Sequence, residues 1–374
     1  MGHFYIKILQ KPKKILVIVQ RSNGDVFLSV SLIKQLYENY NAPVIDLLVN
    51  DDTLSIASLI PCINKIHTFS YKEKKRNRWL QEKKILSKIF SKYDLSINLT
   101  ASDRSVFYSL ISGKKSISAI EKNNKKSWWK KLFLSHYYFF DSSQHILKNN
   151  LQPLNLLNIN FKTTLTSIEP SKNVITSISK KLRQIQVTDF VIFHPSAQYR
   201  YKIYPKNLRD ILISDLSKLN IAVIITGGFS LIDLELKKEI PNIPNVFDFI
   251  GETSLEEFFA LSNLSLGYIG MDTLNMHIAA SQNKRIFAIF GPTKLKIWAP
   301  WSSHLELMML EDKPIQTYGN ITIFQADLPC VACGNAGCNN NHGNSECLDY
   351  INPRAIYEEF KNWHESSKTD NCLL

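Results

Sequence analysis

The sequence predicts an α/β protein of two Rossmann-like βαβ domains, each built on a mostly parallel sheet. Continuous apolar runs of strand length recur at 14–19, 190–193 and 222–225, as expected of strands buried on both faces. Segments with helical periodicity separate them, so strand and helix alternate. The 374 residues are enough for two separate cores. Residues 151–170, poor in charge and carrying Pro153 and Pro170, read as the crossing between the two series. The expected division is therefore 1–165, 166–350, and a closing helix and tail over 351–374.

The first series opens with the run at 14–19 and the loop Gln20-Arg21-Ser22-Asn23-Gly24-Asp25. An amphipathic helix is expected over 26–37, strands at 45–49 and 93–99, and a polar loop over 100–104. The second series starts with a helix at 172–186 and continues with strands at 190–193, 222–225, 246–249, 264–269 and 285–290. A helix over 353–363 closes the chain.

At 44% hydrophobic and 21% charged residues the composition is globular. No apolar stretch reaches the ~20 residues of a membrane span, and residues 1–14 lack the apolar core of a signal peptide. A cytoplasmic location is expected. The net charge of +12 is lopsided. Residues 1–150 hold 25 Lys and Arg against 11 Asp and Glu, while 151–374 hold 20 against 22. The first half should therefore face something anionic. One basic cluster spans 72–84 around Trp79. Another comprises Lys125, Lys126, Trp128, Trp129, Lys130 and Lys131. Lysines interleaved with tryptophan suit a membrane surface and equally nucleic acid. The plain alternative is a solvated lysine-rich face.

The segment Gly270-Met271-Asp272-Thr273-Leu274-Asn275-Met276-His277 carries the most chemistry. An apolar run ends in a glycine turn, and a helix begins with Thr273 and His277 four apart on one face. A helix N-terminus presents unpaired N–H groups that suit a phosphate. The bland reading makes Asp272 an N-cap and His277 a surface residue. A second strand–glycine turn, Phe290-Gly291-Pro292-Thr293, and then Trp298-Ala299-Pro300-Trp301, put two loops at one carboxyl edge, where open α/β sheets bind ligands.

Together these residues resemble the heptosyltransferases of glycosyltransferase family 9, which build the inner core of bacterial lipopolysaccharide. The family pattern is Asp-Thr-Gly-x-x-His, and Leu274 stands here in place of the glycine. The resemblance covers nearly the whole chain and implies the GT-B architecture, two such domains facing each other across a cleft. It makes Asp25 of the Gly-Asp pair the catalytic base that takes the acceptor hydroxyl's proton. Gly24 would allow close approach, and Arg21 would hold acidic groups of the acceptor. Asp25 could also simply cap the helix that follows.

The stretch from His194 to Pro205 resembles the family loop His-Pro-Gly/Ser-x…Lys-x-Trp-Pro, with Tyr204 in place of Trp. Lys202 then meets the donor diphosphate and stabilises the departing nucleotide without a metal, and Ser196 contributes a hydroxyl or N–H. Thr226 and Gly227 form another turn at the same edge, and Glu256 either reaches the ribose or is an ordinary first-turn acid. With Asp272, Thr273 and His277 these make up the expected donor site.

Cys330, Cys333, Cys338 and Cys347 cluster near the end of the chain, leaving Cys62 and Cys372 outside. The spacing has the look of a structural zinc or iron site, with His342 able to replace a ligand. Free thiols are the alternative in a cytoplasmic protein. No cofactor is expected for the chemistry itself.

The resemblance implies inverting transfer of heptose from ADP-heptose to an anionic glycolipid, the lipid A–core acceptor, at the inner-membrane surface, to which the protein would bind peripherally. The same chemistry on a protein acceptor or with another nucleotide sugar is an alternative. So is a nucleic-acid or membrane-surface binder on a degenerate GT-B fold, or a catalytically silent scaffold. The set Asp25, Lys202, Asp272 and His277 argues against a nucleic-acid binder, which needs no base.

Overall fold

The computed structural model describes residues 11–305 and 311–371. Residues 1–10 and Cys372, on which sequence expectations also fell, lie outside them. The chain divides into two compact units between Ile168 and Glu169.

In chain order the first unit runs β1 (Lys14–Val19), α1 (Asn23–Phe27), α2 (Val30–Asn39), β2 (Val44–Asn50), α3 (Leu54–Ala57), β3 (Ile63–Phe69), α4 (Tyr71–Ile89), β4 (Tyr93–Asn98), α5 (Asp103–Ser112), β5 (Gly113–Ile120), α6 (Trp128–Phe133), β6 (His136–Phe139) and α7 (Ile146–Leu156). The sheet order is β3-β2-β1-β4-β5-β6, and all its pairings are parallel. β1 and β4 sit at the centre, which is why the loops after them, carrying Asp25 and Arg104, lie side by side. The expected helix over 26–37 is two helices. Ser29 Oγ donates to the Val26 carbonyl at 2.7 Å, and this local side-chain bond competes with helix continuation. Strand β3 escaped the sequence reading because only His67 and Phe69 of its seven residues are buried, so no apolar run marks it. Strand β5 escaped because it opens on Gly113-Lys114-Lys115-Ser116 and interleaves buried Ser116 and Ser118 with Ile117, Ala119 and Ile120, which leaves no continuous apolar run.

The second unit runs α8 (Lys172–Gln184), β7 (Phe190–His194), α9 (Lys206–Leu216), β8 (Ala222–Gly227), α10 (Leu231–Glu239), β9 (Val246–Ile250), α11 (Leu255–Leu264), β10 (Gly267–Met271), α12 (Leu274–Ser281), β11 (Arg285–Ile289), α13 (Leu295–Trp298), β12 (Ile315–Tyr318), β13 (Ile321–Phe324) and α14 (Pro353–Asn371). Its order is β12-β13-β11-β10-β7-β8-β9, parallel except for the β12–β13 pair at one edge. Adjacent β8, β7 and β10 bring the loops that follow them to one carboxyl edge. Leu264, expected to open a strand, ends α11 instead. The closing helix α14 buries Ile356 and Phe360 in the core of the second unit. Phe360 meets Phe287 edge-on, with ring centroids 5.4 Å apart. Among the described residues no helix is long and apolar enough to cross a membrane.

Candidate active site

In the first unit, Asp25 is buried at the start of α1. Its Oδ2 accepts from Ser22 Oγ at 2.6 Å and from Ser22 N at 3.3 Å. Arg21 Nε lies 2.8 Å from Oδ1, an ion pair rather than an aligned hydrogen bond. Asp25 therefore closes the first helical turn and keeps one oxygen facing a cation, so capping and acid–base chemistry are compatible in one side chain. Gly24, half-buried beside it, needs no left-handed backbone. The Arg21 guanidinium sits 5.4 Å from the centroid of the Phe140 ring. Gln20 N donates to Thr100 Oγ1 at 3.0 Å and Asn50 Nδ2 to the Arg21 carbonyl at 3.3 Å, so the loops after β1, β2 and β4 are tied together.

Sequence reasoning missed Arg104 at this edge. Its guanidinium lies 3.6 Å from the Phe69 ring centroid and donates to the Tyr71 hydroxyl at 3.0 Å. The signal was a basic residue at the very start of the helix after a central strand.

In the second unit, Lys202 Nζ meets Asp272 Oδ2 at 2.7 Å. Burial alone would pull the Lys202 ammonium down, but the charge and hydrogen bond of Asp272 leave it above its ordinary value. The N-cap of α12 is Thr273, not Asp272, and its side chain makes no cap bond. His277, one turn in, is 2% exposed rather than a surface residue. Burial pushes its imidazole down to about 4, against the pull of Asp272 and with the help of Lys202. His277 Nδ1 is sealed from water and makes no hydrogen bond among the described residues, while Thr273 Oγ1, equally sealed, meets only the Tyr268 hydroxyl. An orphaned buried polar atom is costly, and one in the first turn of a helix beside an ammonium marks a place prepared for a polar ligand.

The loop after β7 is braced from behind. His194 Nδ1 lies 2.9 Å from Thr226 Oγ1, and burial drives His194 down to about 4, so it is neutral at pH 7. The Ser196 hydroxyl donates to Asp233, which leaves only its backbone N–H for an anion. Asp233 also accepts from Ser230 N at 2.8 Å and Ser230 Oγ at 2.6 Å. Burial raises the Asp233 carboxyl, yet these bonds hold it below its usual range. A Cβ at Gly227 would stand 3.1 Å from Asp233 Oδ1, so glycine lets the carboxylate approach. Thr226 and Gly227 are thus buried supports of the loop. At Gly270 a Cβ would fall 2.6 Å from the His194 carbonyl oxygen, and only glycine lets β10 run this close to β7. Glu256 Oε1 accepts from Ser171 N at 3.1 Å, fastening α11 to the start of α8. Leu274 takes a helical conformation without strain. Tyr204, at the family's Trp position, belongs to the core, and its hydroxyl donates to the Ile351 carbonyl.

One expectation needs correction. In the basic cluster, Lys130 is 1% exposed, pairing with Asp103 at 2.7 Å and donating to the Ala101 carbonyl at 2.7 Å. The helical turn aims it inward while Lys131 faces out. Trp129 packs against Val106, Ile120 and Leu134, whereas Trp128, Leu132 and Phe133 are 65%, 67% and 64% exposed. Near the chain's end, Cys330, Cys333 and Cys338 lie close enough to Cys347 to act on it. Burial first, then those neighbours, push the Cys347 thiol up to about 12. Yet among the described residues no group of three or more His, Cys, Asp or Glu side chains is arranged to hold a metal ion, and His342 is exposed. The four cysteines are free thiols.

The family model for glycosyltransferase family 9 (heptosyltransferase) matches residues 83–324. Lipopolysaccharide heptosyltransferase 3 of Escherichia coli (strain K12) is 28% identical over 294 residues, covering 76% of this chain and 84% of that protein. Among solved structures, ADP-heptose lps heptosyltransferase II of E. coli superposes with a TM-score of 0.68 at 17% identity, covering 95% of this chain and 99% of that one. An E. coli heptosyltransferase solved with ADP gives 0.69 at 14% identity, covering 93% and 99%. The two parallel sheets are accordingly those of the GT-B architecture. The chain belongs to glycosyltransferase family 9, the heptosyltransferases, and is a glycosyltransferase.

Proposed function

We propose that the enzyme transfers heptose from ADP-heptose, with inversion, to the inner core of lipopolysaccharide. The observation that carries the donor half is the Lys202–Asp272 pair beside His277 Nδ1, which has no hydrogen-bond partner among the described residues, at the start of α12. A diphosphate there would gain the ammonium and the free N–H groups of the helix. In the reaction the acceptor oxygen attacks the anomeric carbon, the bond from that carbon to the diphosphate oxygen breaks, and ADP leaves with the electron pair. Lys202 and the α12 amides stabilise that developing charge, the work a preorganised electrostatic site does best. Asp25 accepts the acceptor's proton, and Arg21 with Arg104 binds its acidic groups. Neutral His194 and Asp233 position the loop and touch no reacting atom. The chemistry so assigned draws on side chains and backbone alone, and the cysteine-rich segment lies outside it.

The acceptor's anionic lipid gives a reason for the basic first unit. Trp128, Leu132 and Phe133 with Lys125, Lys126 and Lys131 form an exposed apolar face rimmed by ammonium groups, the composition of an interfacial anchor. A protein acceptor would have no use for that face, which is why the lipid is preferred.

Calorimetric titration with ADP, UDP and GDP tests the donor, with selective ADP binding expected. Asp25→Asn tests the base: transfer to a truncated core acceptor should fall by about 10²–10⁴ in kcat while ADP affinity holds. Binding of no nucleotide would overturn the reading, as would full activity of the Asn variant.

A further inference from the structure

A separate cavity of about 350 Å³ opens at the other, amino end of the first sheet. Lys14 and Tyr93 begin β1 and β4, so the six residues of β1, about 20 Å of strand, separate this cavity from the Asp25 loop. Its floor is a chain of linked polar groups. Asn64 Nδ2 donates to Asp46 Oδ1 at 2.8 Å, the Tyr93 hydroxyl donates to Oδ2 at 2.7 Å, and His67 Nε2 lies 3.0 Å from the Tyr93 oxygen. The phenol gives its single proton to Asp46, so His67 is the donor in the last contact. Burial would raise the Asp46 carboxyl, yet these bonds hold it down to about 2. It is a carboxylate whose two oxygens are already served.

Around this floor stand Lys14, Lys65, Lys88 and Lys92. Among the described residues none of the four has a carboxylate partner within ion-pair distance. Lys92 Nζ donates to the Ser87 carbonyl at 2.7 Å, and Lys14 Nζ lies 5.0 Å from the Tyr93 ring centroid. Four lysines thus line a concavity of ligand size with one internally satisfied negative charge to offset them. Mutual repulsion favours an anion of more than one charge, and lysine meets phosphate as a point charge.

We propose that this cavity binds a phosphate-bearing group, a soluble phosphorylated small molecule or a lipid phosphomonoester, between Lys14, Lys65, Lys88 and Lys92 above the Asp46–Tyr93–His67 floor. The site is independent of the donor site, and the test is run in the full chain carrying Lys202→Ala so that diphosphate binding there does not intrude. Inorganic pyrophosphate is titrated at physiological salt while the His67 ring signals, assigned with His67→Gln, are followed by NMR. Saturable movement of those signals is expected. Adding Lys65→Ala and Lys88→Ala, both at exposed positions, should weaken binding at least about tenfold, since removing a hydrogen bond between charged groups has an effect of that order. Phosphatidic acid vesicles that displace pyrophosphate assign the site to a headgroup, and vesicles that do not displace it assign a soluble phosphate. Stationary His67 signals, which need no lysine substitution to observe, or binding indifferent to the two alanines, would overturn the proposal.

Discussion

Replacing Lys202 with alanine removes the one ammonium that faces the α12 N-terminus through Asp272. A hydrogen bond to a charged group contributes about 1.5–3 kcal/mol. The Lys202 side chain is only 25% exposed and Asp272 8%, so solvent screens the contact weakly. The loss also leaves the Asp272 carboxylate uncompensated beside an incoming diphosphate, which pushes the effect toward the upper figure. At 1.4 kcal/mol per tenfold change, ADP affinity should drop by roughly ten- to a hundredfold. Calorimetry on wild type and variant measures it. Lys206→Ala is the control, because that lysine is exposed and paired with Asp210 along the surface of α9, where such pairs are worth little. Adding Asp272→Asn to Lys202→Ala should recover part of the loss, since the two residues are coupled. A Lys202→Ala enzyme that binds ADP within about twofold of wild type would refute the electrostatic argument and remove Lys202 from the donor site.

Gly270→Ala should destabilise the second unit by about 1–3 kcal/mol or more, read as a lower urea midpoint, because the new Cβ meets the His194 backbone oxygen; an unchanged midpoint would mean β7 and β10 are not so close. Acid should weaken the fold between pH 6.5 and 4. His194 and His277 are neutral when folded, with values near 4, so over that window the unfolded chain binds more protons. Each contributes stability that is fully present above 6.5 and lost toward 4, at up to about 1.4 kcal/mol per pH unit; equal urea midpoints at pH 7 and pH 5 would contradict their burial. Trp128→Ala with Leu132→Ala should release the protein from anionic vesicles while ADP affinity stays level, whereas Trp129→Ala should lower the melting temperature instead, because Trp129 packs inward.

Much of this was legible in the chain because it depends on local chemistry. Apolar runs such as 14–19 and 222–225 are buried on both faces of a parallel sheet, so their strand character needs no partner to be recognised. Asp25, Lys202 and the Asp272–Thr273–His277 stretch sit in the segments that follow such strands, so their place at the carboxyl edge is legible from the chain. Other features depend on which strands become neighbours, and only the fold decided those. β7 lies between β10 and β8, which joins His194 to Thr226 and Lys202 to Asp272 across 70 residues. Asp233, remote in sequence, anchors Ser196 for the same reason. Lys130 and Lys131 are identical side chains one position apart, yet the helical turn of α6 buries the first and exposes the second. The lysine-lined cavity takes residues from β1, β2, β3, β4 and the end of α4. No spacing in the chain announces it, because it exists only where parallel strands set their amino ends side by side.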